Sequence, residues 1–518
     1  MSEQQGPHDD VDVPANLADL VRRAARRAPE HPALLYESSA LLWAELDAAV
    51  DRAAAAFVGL GLSAGDRIAV QLGNTPDFPI VYFGALRAGM VAVPTNPGYT
   101  EPELSYLLAD AGAAALVTSS VAAIEAADRL RAAASTLAHV VVAARSGPDR
   151  TVPLQTLLDG APGEPRRPTT GGEDLAALIY TSGTSGRPRG AMLTHRALLA
   201  NLDQCGRITP PVVRPDDVML LVLPLFHVYG LNPGLGMAAW AGASAVLVDR
   251  FDPAETLALM ARHKVTNVPG APTMYHGWSD QPGLREGFAT VRLSLSGAAP
   301  LPVEILTRFA ELGVQIFEGY GLTEAAPVLT STLVGGAPKP GSVGRPIPGV
   351  ELTLLDEDGE EVDEDDHGEI VVRGPNLFSG YWPDRADGPD QDGWFRTGDV
   401  AFADDDGDLH LVDRTKELIL VRGFNVYPAE VEAVLGQHPA VAEVGVIGVP
   451  DEHSGEAVKA YVVPRPDHPL SAQELVAWAA GSLARFKLPA AVEFVDALPH
   501  SATGKVSKHE LRQAEATP

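Results

Sequence analysis

Alternating strand and helix patterns are the feature that most constrains how this chain folds. Residues 17–28 and 43–58 place apolar side chains three and four positions apart, which predicts two amphipathic helices. Residues 67–72 and 114–119 are apolar runs typical of buried strands. Such alternation predicts an α/β architecture with largely parallel sheets.

The same pattern divides the chain into two parts. A break near residues 414–418 separates a large N-terminal part from a tail of about 100 residues. The tail has strand and helix signals of its own, enough for a small α+β domain. We therefore predict an N-terminal domain over residues 1–414 and a C-terminal domain over residues 415–518.

The composition excludes several classes of protein. Over 518 residues, 39 Lys and Arg against 68 Asp and Glu give a formal net charge of −29. This charge argues against a nucleic-acid binder, which needs a basic surface. The one cysteine, Cys205, rules out a disulfide framework and a Cys-rich zinc site. It fits a reducing cytoplasm, and the polar residues 1–12 lack the features of a secretory signal, so we expect a cytoplasmic protein.

Residues 218–248 contain no Asp, Glu, Lys or Arg and are long enough to suggest a membrane span. Prolines, glycines, His227 and Asn232 interrupt the stretch, however. We therefore interpret it as buried core followed by a loop that lines a cavity. The acidic segment 356–366 is interpreted as a solvated turn rather than a calcium site, because its spacing does not fit an EF-hand loop. Residues 400–413 alternate apolar and polar side chains around an Asp-Gly turn, which predicts a hairpin.

The segment from Tyr180 to His195 holds the clearest chemical signal. An apolar strand pattern ends in a loop, residues 181–190, that contains four hydroxyl side chains, three glycines and two arginines. Glycines allow close approach of the backbone to phosphate, and Arg187 or Arg189 would add charge. The loop is not a Walker A motif, because no Gly-Lys-Ser/Thr follows. A flexible surface loop is the alternative that these residues alone leave open.

This loop resembles the phosphate-binding signature of the adenylate-forming superfamily, which includes acyl-CoA synthetases, peptide-synthetase adenylation domains and luciferases. Further motifs resemble that family in its order. They are LPLFHVYG over 223–230, SGAAP over 296–300, EGYGLTEA over 318–325, GEIVVRG over 368–374, WFRTGD over 394–399, DRTKELILVRGFNVYPAEVE over 413–432 and PHSATGK over 499–505. The motifs are most similar to those of fatty acyl-CoA ligases.

The resemblance implies a fold and an activity. The fold is a large N-terminal domain of layered α/β sheets with a β-barrel-like part, and a small mobile C-terminal domain with its hinge at Lys416. The activity is AMP-forming acyl-CoA synthesis: a carboxylic acid and ATP give an acyl adenylate and pyrophosphate, and CoA then takes the acyl group. Such chemistry needs charge neutralisation and alignment more than acid–base catalysis.

The resemblance also implies site residues. The residues expected to bind the nucleotide are Thr181, Ser182, Gly183, Thr184, Ser185, Gly186, Arg189, Gly297, Ala298, Ala299, Glu318, Gly319, Tyr320, Gly321, Thr323, Asp399, Arg414 and Lys505. Among these, Tyr320 would stack on adenine and Asp399 would accept the ribose hydroxyls. Glu324 and Thr184 would bind Mg²⁺. Taken singly, each residue also has an ordinary structural explanation.

Four residues are the predicted catalytic group: Lys505, His227, Thr323 and Arg414. Lys505 matches the lysine that bridges the substrate carboxylate and the α-phosphate. The acyl substrate would contact His227, Val228, Tyr229, Gly230 and Gly321, and CoA would contact Arg422, Gly423 and Phe424. Arg189 departs from the family pattern, which usually has lysine there, and the broader guanidinium changes the expected loop geometry.

The substrates are predicted in part. No carboxylate stands among residues 226–230, so an amino acid's ammonium would be left unpaired, and amino acids are disfavoured. No carrier domain follows residue 518, so CoA is the expected acceptor. A medium- or long-chain fatty acid is favoured over a coumarate-like aryl acid, and transfer to another nucleophile is a further alternative. A nucleotide-binding protein without turnover is the contrasting hypothesis. Either a monomer or a homodimer is expected.

Overall fold

The computed structural model describes most of the chain. The described residues are 15–143, 149–161, 170–181, 188–356, 358–363, 366–414, 417, 419–421, 424–426, 428–451, 455–466, 468–483, 485–500 and 505–516. At positions 413, 414, 420, 424, 425, 455, 509 and 516 only the backbone is described.

The strands are numbered in chain order. They are β1 (Pro32–Tyr36), β2 (Ser39–Leu42), β3 (Arg67–Gln71), β4 (Val91–Pro94), β5 (Ala113–Thr118), β6 (His139–Val142), β7 (Val152–Pro153), β8 (Leu175–Thr181), β9 (Arg189–Thr194), β10 (Val218–Leu221), β11 (Ser244–Leu247), β12 (Asn267–Gly270), β13 (Leu293–Ser296), β14 (Ile316–Gly321), β15 (Val328–Ser331), β16 (Arg345–Pro346), β17 (Glu351–Leu355), β18 (Gly368–Arg373), β19 (Trp394–Ala403), β20 (Leu409–Arg414), β21 (Ile419–Val421), β22 (Phe424–Val426), β23 (Val441–Asp451), β24 (Gly455–Pro464) and β25 (Ala491–Phe494).

The α-helices are numbered in the same way. They are α1 (Asp19–Arg27), α2 (Trp43–Gly59), α3 (Asp77–Arg87), α4 (Glu101–Asp110), α5 (Val121–Glu125), α6 (Ala127–Ala133), α7 (Leu154–Asp159), α8 (His195–Gly206), α9 (Met237–Ala241), α10 (Pro253–His263), α11 (Pro272–Ser279), α12 (Leu284–Gly287), α13 (Val303–Glu311), α14 (Thr332–Gly335), α15 (Pro428–Gly436), α16 (Ala472–Ala479) and α17 (Lys508–Ala516). A π-helix covers Gly230–Gly236, and 3₁₀ turns cover Thr323–Ala325 and Arg485–Lys487.

Two large sheets form the N-terminal part. A seven-stranded sheet has the order β7-β6-β5-β3-β4-β8-β9, parallel except for the β8–β9 pair. A nine-stranded sheet has the order β16-β15-β14-β13-β12-β10-β11-β1-β2, with a parallel centre and antiparallel edges. Parallel central strands are buried on both faces, which explains their continuous apolar runs.

Helices cover both sheets in layers. One buried cluster joins Val70 of β3, Phe57 of α2, Leu198 of α8 and Met219 of β10, so these helices lie between the two sheets. Two further clusters cover the outer faces, one with α10, α11 and α13 and the other with α4 and α6. The predicted layered α/β class is therefore confirmed.

Two smaller sheets follow along the chain. An antiparallel sheet, β17-β18-β19-β20, stands where the barrel-like part was predicted. The predicted hairpin over 400–413 is confirmed as β19 and β20. The tail forms a five-stranded sheet with its own buried cluster, which confirms a smaller C-terminal domain.

The uncharged stretch 218–248 is confirmed as core. It forms β10, the π-helix, α9 and β11, and most of its residues are buried. Among the described residues, no helix is both long enough and apolar enough to cross a membrane.

Candidate active site

A cavity of about 3250 Å³ lies at the C-terminal ends of the central strands. Its wall includes the ends of β8, β13 and β14, part of β19, and residues of the C-terminal domain. Ligands of open α/β sheets bind outside the carboxyl ends of the strands. The fold thus brings together most predicted site residues whose side chains the structure describes.

The predicted phosphate loop connects β8 to β9. Thr181 and Arg189 are cross-strand partners in this antiparallel pair and line the cavity. The predicted residues Ser182, Gly183, Thr184, Ser185 and Gly186 lie outside the described residues.

Arg189 is held by two neighbours. Its Nη1 lies 2.8 Å from Asp387 Oδ2, and its guanidinium lies 3.8 Å from the centre of the Tyr381 ring. A planar guanidinium stacks on an aromatic ring as an ammonium does not. The ion pair with Asp387 and the stacking on Tyr381 therefore both suit an arginine at this position.

The carboxylate of Glu324 lies in the cavity wall. It belongs to the 3₁₀ turn Thr323–Ala325, and Thr323 and Glu324 are both buried and line the cavity. The Tyr381 hydroxyl donates a hydrogen bond to Glu324 Oε1, and the Phe378 N–H donates to the Glu324 carbonyl. The ring of Tyr381 thus joins Glu324 to Arg189.

Tyr320 and Asp399 form a buried pair that lines the same cavity. The Tyr320 hydroxyl donates to Asp399 Oδ2 at 2.6 Å. Gly297, Ala298 and Ala299 follow β13 and line the same cavity. Ala298 has a φ of 72°, a left-handed conformation that costs energy for a residue with a Cβ. Strained backbone of this kind is concentrated at functional sites.

Glu318 lies in β14, within the same wall. Its Oε2 accepts a hydrogen bond from the Leu301 N–H at 3.0 Å. Burial raises the pKa of Glu318 to about 7, although the Leu301 hydrogen bond acts in the opposite direction. Gly319 and Gly321 pack against backbone, since a Cβ would lie 2.8 Å from the Thr330 carbonyl and 2.1 Å from the Pro327 carbonyl, respectively.

His227 and Lys505 come from different domains and meet in this cavity. Burial, together with the positive charge of Lys505, lowers the pKa of His227 to about 4. The imidazole is therefore neutral at pH 7. Its Nδ1 accepts a long hydrogen bond from the Tyr229 N–H at 3.4 Å, which assigns the ring proton to Nε2.

Val228 and Tyr229 also line the cavity, but Gly230 does not. A Cβ on Gly230 would lie 2.4 Å from the Pro224 carbonyl oxygen and 2.7 Å from the Leu223 carbonyl oxygen. Gly230 was predicted to contact the acyl substrate, but the structure places it against backbone, where a glycine is needed for close packing. Gly297 instead packs against the Tyr229 ring.

An apolar extension of the cavity runs between the nine-stranded sheet and α8. It is lined by Cys205, Ile208, Val212, Val213, Met219 and Met237. These side chains suit the apolar part of a substrate. Sequence patterns did not mark them, because buried apolar residues of this kind look like ordinary core.

Several predictions fall on the junction with the tail. Arg414 ends β20 with its backbone opposite Asp399, and Phe424 begins β22 opposite Val421. Lys416, Arg422 and Gly423 lie outside the described residues. The functional contact that sequence reasoning missed is that of Tyr381, since nothing in the segment SGYWPD indicates a partner as distant as Glu324.

The geometry suits chemistry between two anions. Arg189, Lys505, the neutral His227 and the carboxylates of Glu324 and Asp399 all line one cavity. Cations can offset phosphate charge, and carboxylates can hold a metal ion or a diol.

Comparisons with known proteins define the class. The fold is that of an adenylate-forming enzyme. The chain belongs to the AMP-binding enzyme family, whose model matches residues 21–382, and the model of the AMP-binding enzyme C-terminal domain matches residues 430–505.

Two curated relatives align over nearly the whole chain. A long-chain-fatty-acid–CoA ligase of Bacillus subtilis is 35% identical over 98% of this chain and 96% of its own length. A feruloyl-CoA synthase of Amycolatopsis is 38% identical over 95% of this chain and 97% of its own. The predictions of the adenylate-forming superfamily and of an AMP-forming acyl-CoA synthetase are confirmed.

One solved relative has been determined both with and without bound ATP. ATP-bound MatB from Rhodopseudomonas palustris superposes with a TM-score of 0.88 at 34% identity, covering 97% of this chain and 99% of that chain. The apo structure of MatB, with 97% and 99% covered at 35% identity, gives 0.76. The chain therefore superposes better on the ATP-bound structure than on the apo structure.

Proposed function

We propose that this protein joins a medium- or long-chain fatty acid to CoA in two steps at one cavity. The acid and ATP would give the acyl adenylate and pyrophosphate, and CoA would then displace AMP. Use of ATP and CoA is general to the adenylate-forming CoA ligases to which the chain belongs. The observation that carries the proposal is the meeting of His227 and Lys505 beside an apolar extension.

Lys505 would act on the first step. A carboxylate and an α-phosphate repel each other, and an ammonium between them offsets that repulsion in the transition state. Neutral His227 would donate from Nε2 to a phosphate or carboxylate oxygen and transfer no proton. Thr323 and Arg414 would bind the nucleotide near the same phosphate.

Mg²⁺ is part of the proposal. Glu324 fits this ion, because it presents a buried carboxylate in the cavity and Mg²⁺ prefers oxygen ligands. With Oε1 engaged by Tyr381, Oε2 would be the atom that faces the metal. When bound, the ion would neutralise phosphate charge. Thr184 would be its second protein ligand.

The remaining nucleotide contacts are proposed as predicted. Asp399 would accept the ribose hydroxyls, Tyr320 would stack on adenine, and the loop from Thr181 to Arg189 would hold the terminal phosphates. The hydrogen bond from Tyr320 to Asp399 supports a shared ribose and adenine pocket.

The second step would need the C-terminal domain to turn. We place the domain boundary at 414–415 and the hinge at Lys416, with Arg422, Gly423 and Phe424 lining the CoA channel. The end of the β17–β20 sheet at Arg414 and the start of the next sheet at Ile419 support this boundary. A cytoplasmic location is supported by the single, buried cysteine.

An aryl acid is the second candidate substrate. The feruloyl-CoA synthase relative favours it, since its identity to this chain equals or exceeds that of the fatty-acid ligases compared. The apolar extension suits either acid, because both present mostly apolar surface beyond the carboxylate.

The test is a panel of acids given to the purified protein. Labelled pyrophosphate exchange into ATP reports the first step, and mass detection of acyl-CoA reports both. We expect exchange and thioester with medium- or long-chain acids. Glu324→Gln, prepared identically, is the control for a contaminating ligase and should lose at least ~10²-fold of the exchange. Absence of exchange with every acid would refute the proposal.

A further inference from the structure

The apolar extension of the cavity contains one buried polar residue that the proposed mechanism does not use. Asn267 begins β12, is fully buried and lines the cavity with apolar neighbours. Asparagine is depleted in strands, and the central strands of a parallel sheet are normally apolar. A buried Asn at this position therefore needs hydrogen-bond partners for its amide group.

Only the nitrogen of the Asn267 side-chain amide has a hydrogen-bond partner among the described residues. Its Nδ2 donates to the Val212 carbonyl at 2.6 Å, whereas its Oδ1 has no hydrogen-bond partner among the described residues. A buried acceptor without a partner is destabilising, and such atoms are rare in native structures. Ser296 Oγ also lacks a described partner, but it lies beside Gly297 in the reacting region already assigned.

The position of Asn267 along the sheet gives its depth. Ser296, at the end of β13, pairs in register with Gly270 of β12, and Asn267 lies three residues earlier on that strand. Three residues of a strand span ~10 Å. The unpaired oxygen therefore lies ~10 Å below the end of the sheet where the carboxylate would react.

We propose that Asn267 Oδ1 accepts a hydrogen bond from a hydroxyl at the far end of the acid, so that the preferred substrate is an acid ~10 Å long with a distal hydroxyl group. This inference rests on the proposed function and narrows its substrate class. A para-hydroxylated aryl acid and an ω-hydroxylated alkyl acid offer the same donor at this depth. An acid without the hydroxyl would leave the buried oxygen unpaired, and sites of that kind reject such analogues strongly.

The test compares matched acids on the wild-type enzyme. The pairs are para-hydroxycinnamic with cinnamic acid, and ω-hydroxyoctanoic with octanoic acid. We expect kcat/KM for the hydroxylated member of one pair to exceed that of its partner by at least ~10-fold. The pair that shows the preference distinguishes an aryl from an alkyl substrate.

Asn267→Leu removes the acceptor at nearly constant volume. The Val212 carbonyl still accepts from Arg292 Nη2 at 3.1 Å, so it is not left unpaired. We expect the ratio within the pair to fall to about one in this variant. Met219→Leu is the matched control: Met219 is the strand neighbour of Asn267 and lines the same extension, and its replacement should keep the wild-type ratio.

The outcomes separate the two proposals. Turnover of the apolar acids with wild-type ratios near one in both pairs would overturn the role of Asn267 and leave the proposed function standing. A preference that survives Asn267→Leu would also overturn that role. Absence of turnover with every acid would overturn both. If Asn267→Leu fails to fold, the wild-type ratios decide alone.

Discussion

Single side chains in this protein act through neighbours that are distant in the sequence. Tyr381 donates a hydrogen bond to Glu324 and supports the Arg189 guanidinium on its ring. A partner of this kind orients a metal-binding carboxylate without touching the metal itself. Arg189, which stands where the family usually has lysine, is therefore linked through the Tyr381 ring to Glu324, the proposed magnesium ligand.

Tyr381→Phe tests this link. The change removes the hydroxyl and leaves the ring beneath Arg189. We expect the Mg²⁺ concentration for half-maximal adenylation to rise by ~10-fold, because Glu324 is less well oriented. Calorimetry of ATP binding with and without Mg²⁺ provides a second readout.

The matched control is Tyr106→Phe. The Tyr106 hydroxyl donates to the Pro188 carbonyl at 3.0 Å, close to the same loop but not to Glu324. Its Mg²⁺ dependence should stay at the wild-type value. An unchanged Mg²⁺ dependence in Tyr381→Phe would show that the hydroxyl does not orient the carboxylate.

At the scale of elements, the π-helix Gly230–Gly236 borders the cavity, which Pro233 lines. It begins immediately after Tyr229 and packs against α8. π-helices are rare and are frequently found at functional sites. Here the first glycine allows the helix to approach the backbone of Leu223 and Pro224.

Gly230→Ala should destabilise the protein by ~1–3 kcal/mol, since its Cβ would overlap two backbone carbonyls. Activity should fall for all acids alike, with no shift in chain length. Gly234→Ala in the same helix should cost less than ~1 kcal/mol, because its Cβ would meet the flexible Leu221 side chain at 3.3 Å. Urea unfolding and an acid panel check both variants. Selective loss of long acids in Gly230→Ala would instead support the predicted contact of Gly230 with the acyl chain.

A buried histidine joins the N-terminal segment to α8. The Leu17 N–H donates to His195 Nδ1 at 3.1 Å, and burial lowers the pKa of His195 to about 4, while Asp174 acts in the opposite direction. The unfolded chain binds a proton near pH 6.5, whereas the folded chain does so only near pH 4. His195 therefore makes stability fall as the pH is lowered through that window.

His195→Asn should remove this contribution. Between about pH 4.5 and about pH 6, the free energy of unfolding of the wild type should change with pH by ~1.4 kcal/mol per unit more than that of the variant, a difference of one proton. His227 acts with the same sign and Glu318, whose pKa is raised, with the opposite sign, so only the difference between proteins is informative. Equal slopes would mean that His195 is protonated in the folded state.

At the scale of the whole molecule, the C-terminal domain completes the cavity. Lys505 acts on His227 across the domain boundary, and the chain superposes better on an ATP-bound than on an apo relative. Lys487 lines the same cavity but pairs with Glu430 of its own domain at 2.6 Å. The two lysines can therefore be separated experimentally.

Lys505→Ala should reduce adenylate formation from acid and ATP by ~10²-fold or more, because the repulsion between the anions is no longer offset. Reaction of CoA with a supplied acyl adenylate should stay within a few-fold of the wild type, since that repulsion is then absent. Lys487→Ala should leave adenylate formation nearly unchanged. Each step is measured separately by pyrophosphate exchange and by thioester release. Equal loss of both steps in Lys505→Ala would contradict the alternation of domains.

Much of the fold was predictable because it depends on short-range patterns. Apolar periodicity marked α1, α2, β3 and β5, and a turn between alternating residues marked the β19–β20 hairpin. The direction in which a side chain points from its helix or strand follows from the geometry of that element alone. The motifs likewise name chemical groups within a few residues of one another, so they indicated the family.

The sequence by itself thus determined the class of fold, the family and the chemical groups that the cavity presents. Only the tertiary structure decided which groups touch. The contact of Tyr381 with Glu324, the lack of room at Gly230 and the unpaired oxygen of Asn267 each depend on distances between separate elements. Local patterns set the direction of a side chain within its element, but the packing of whole layers sets how far it lies from its partner.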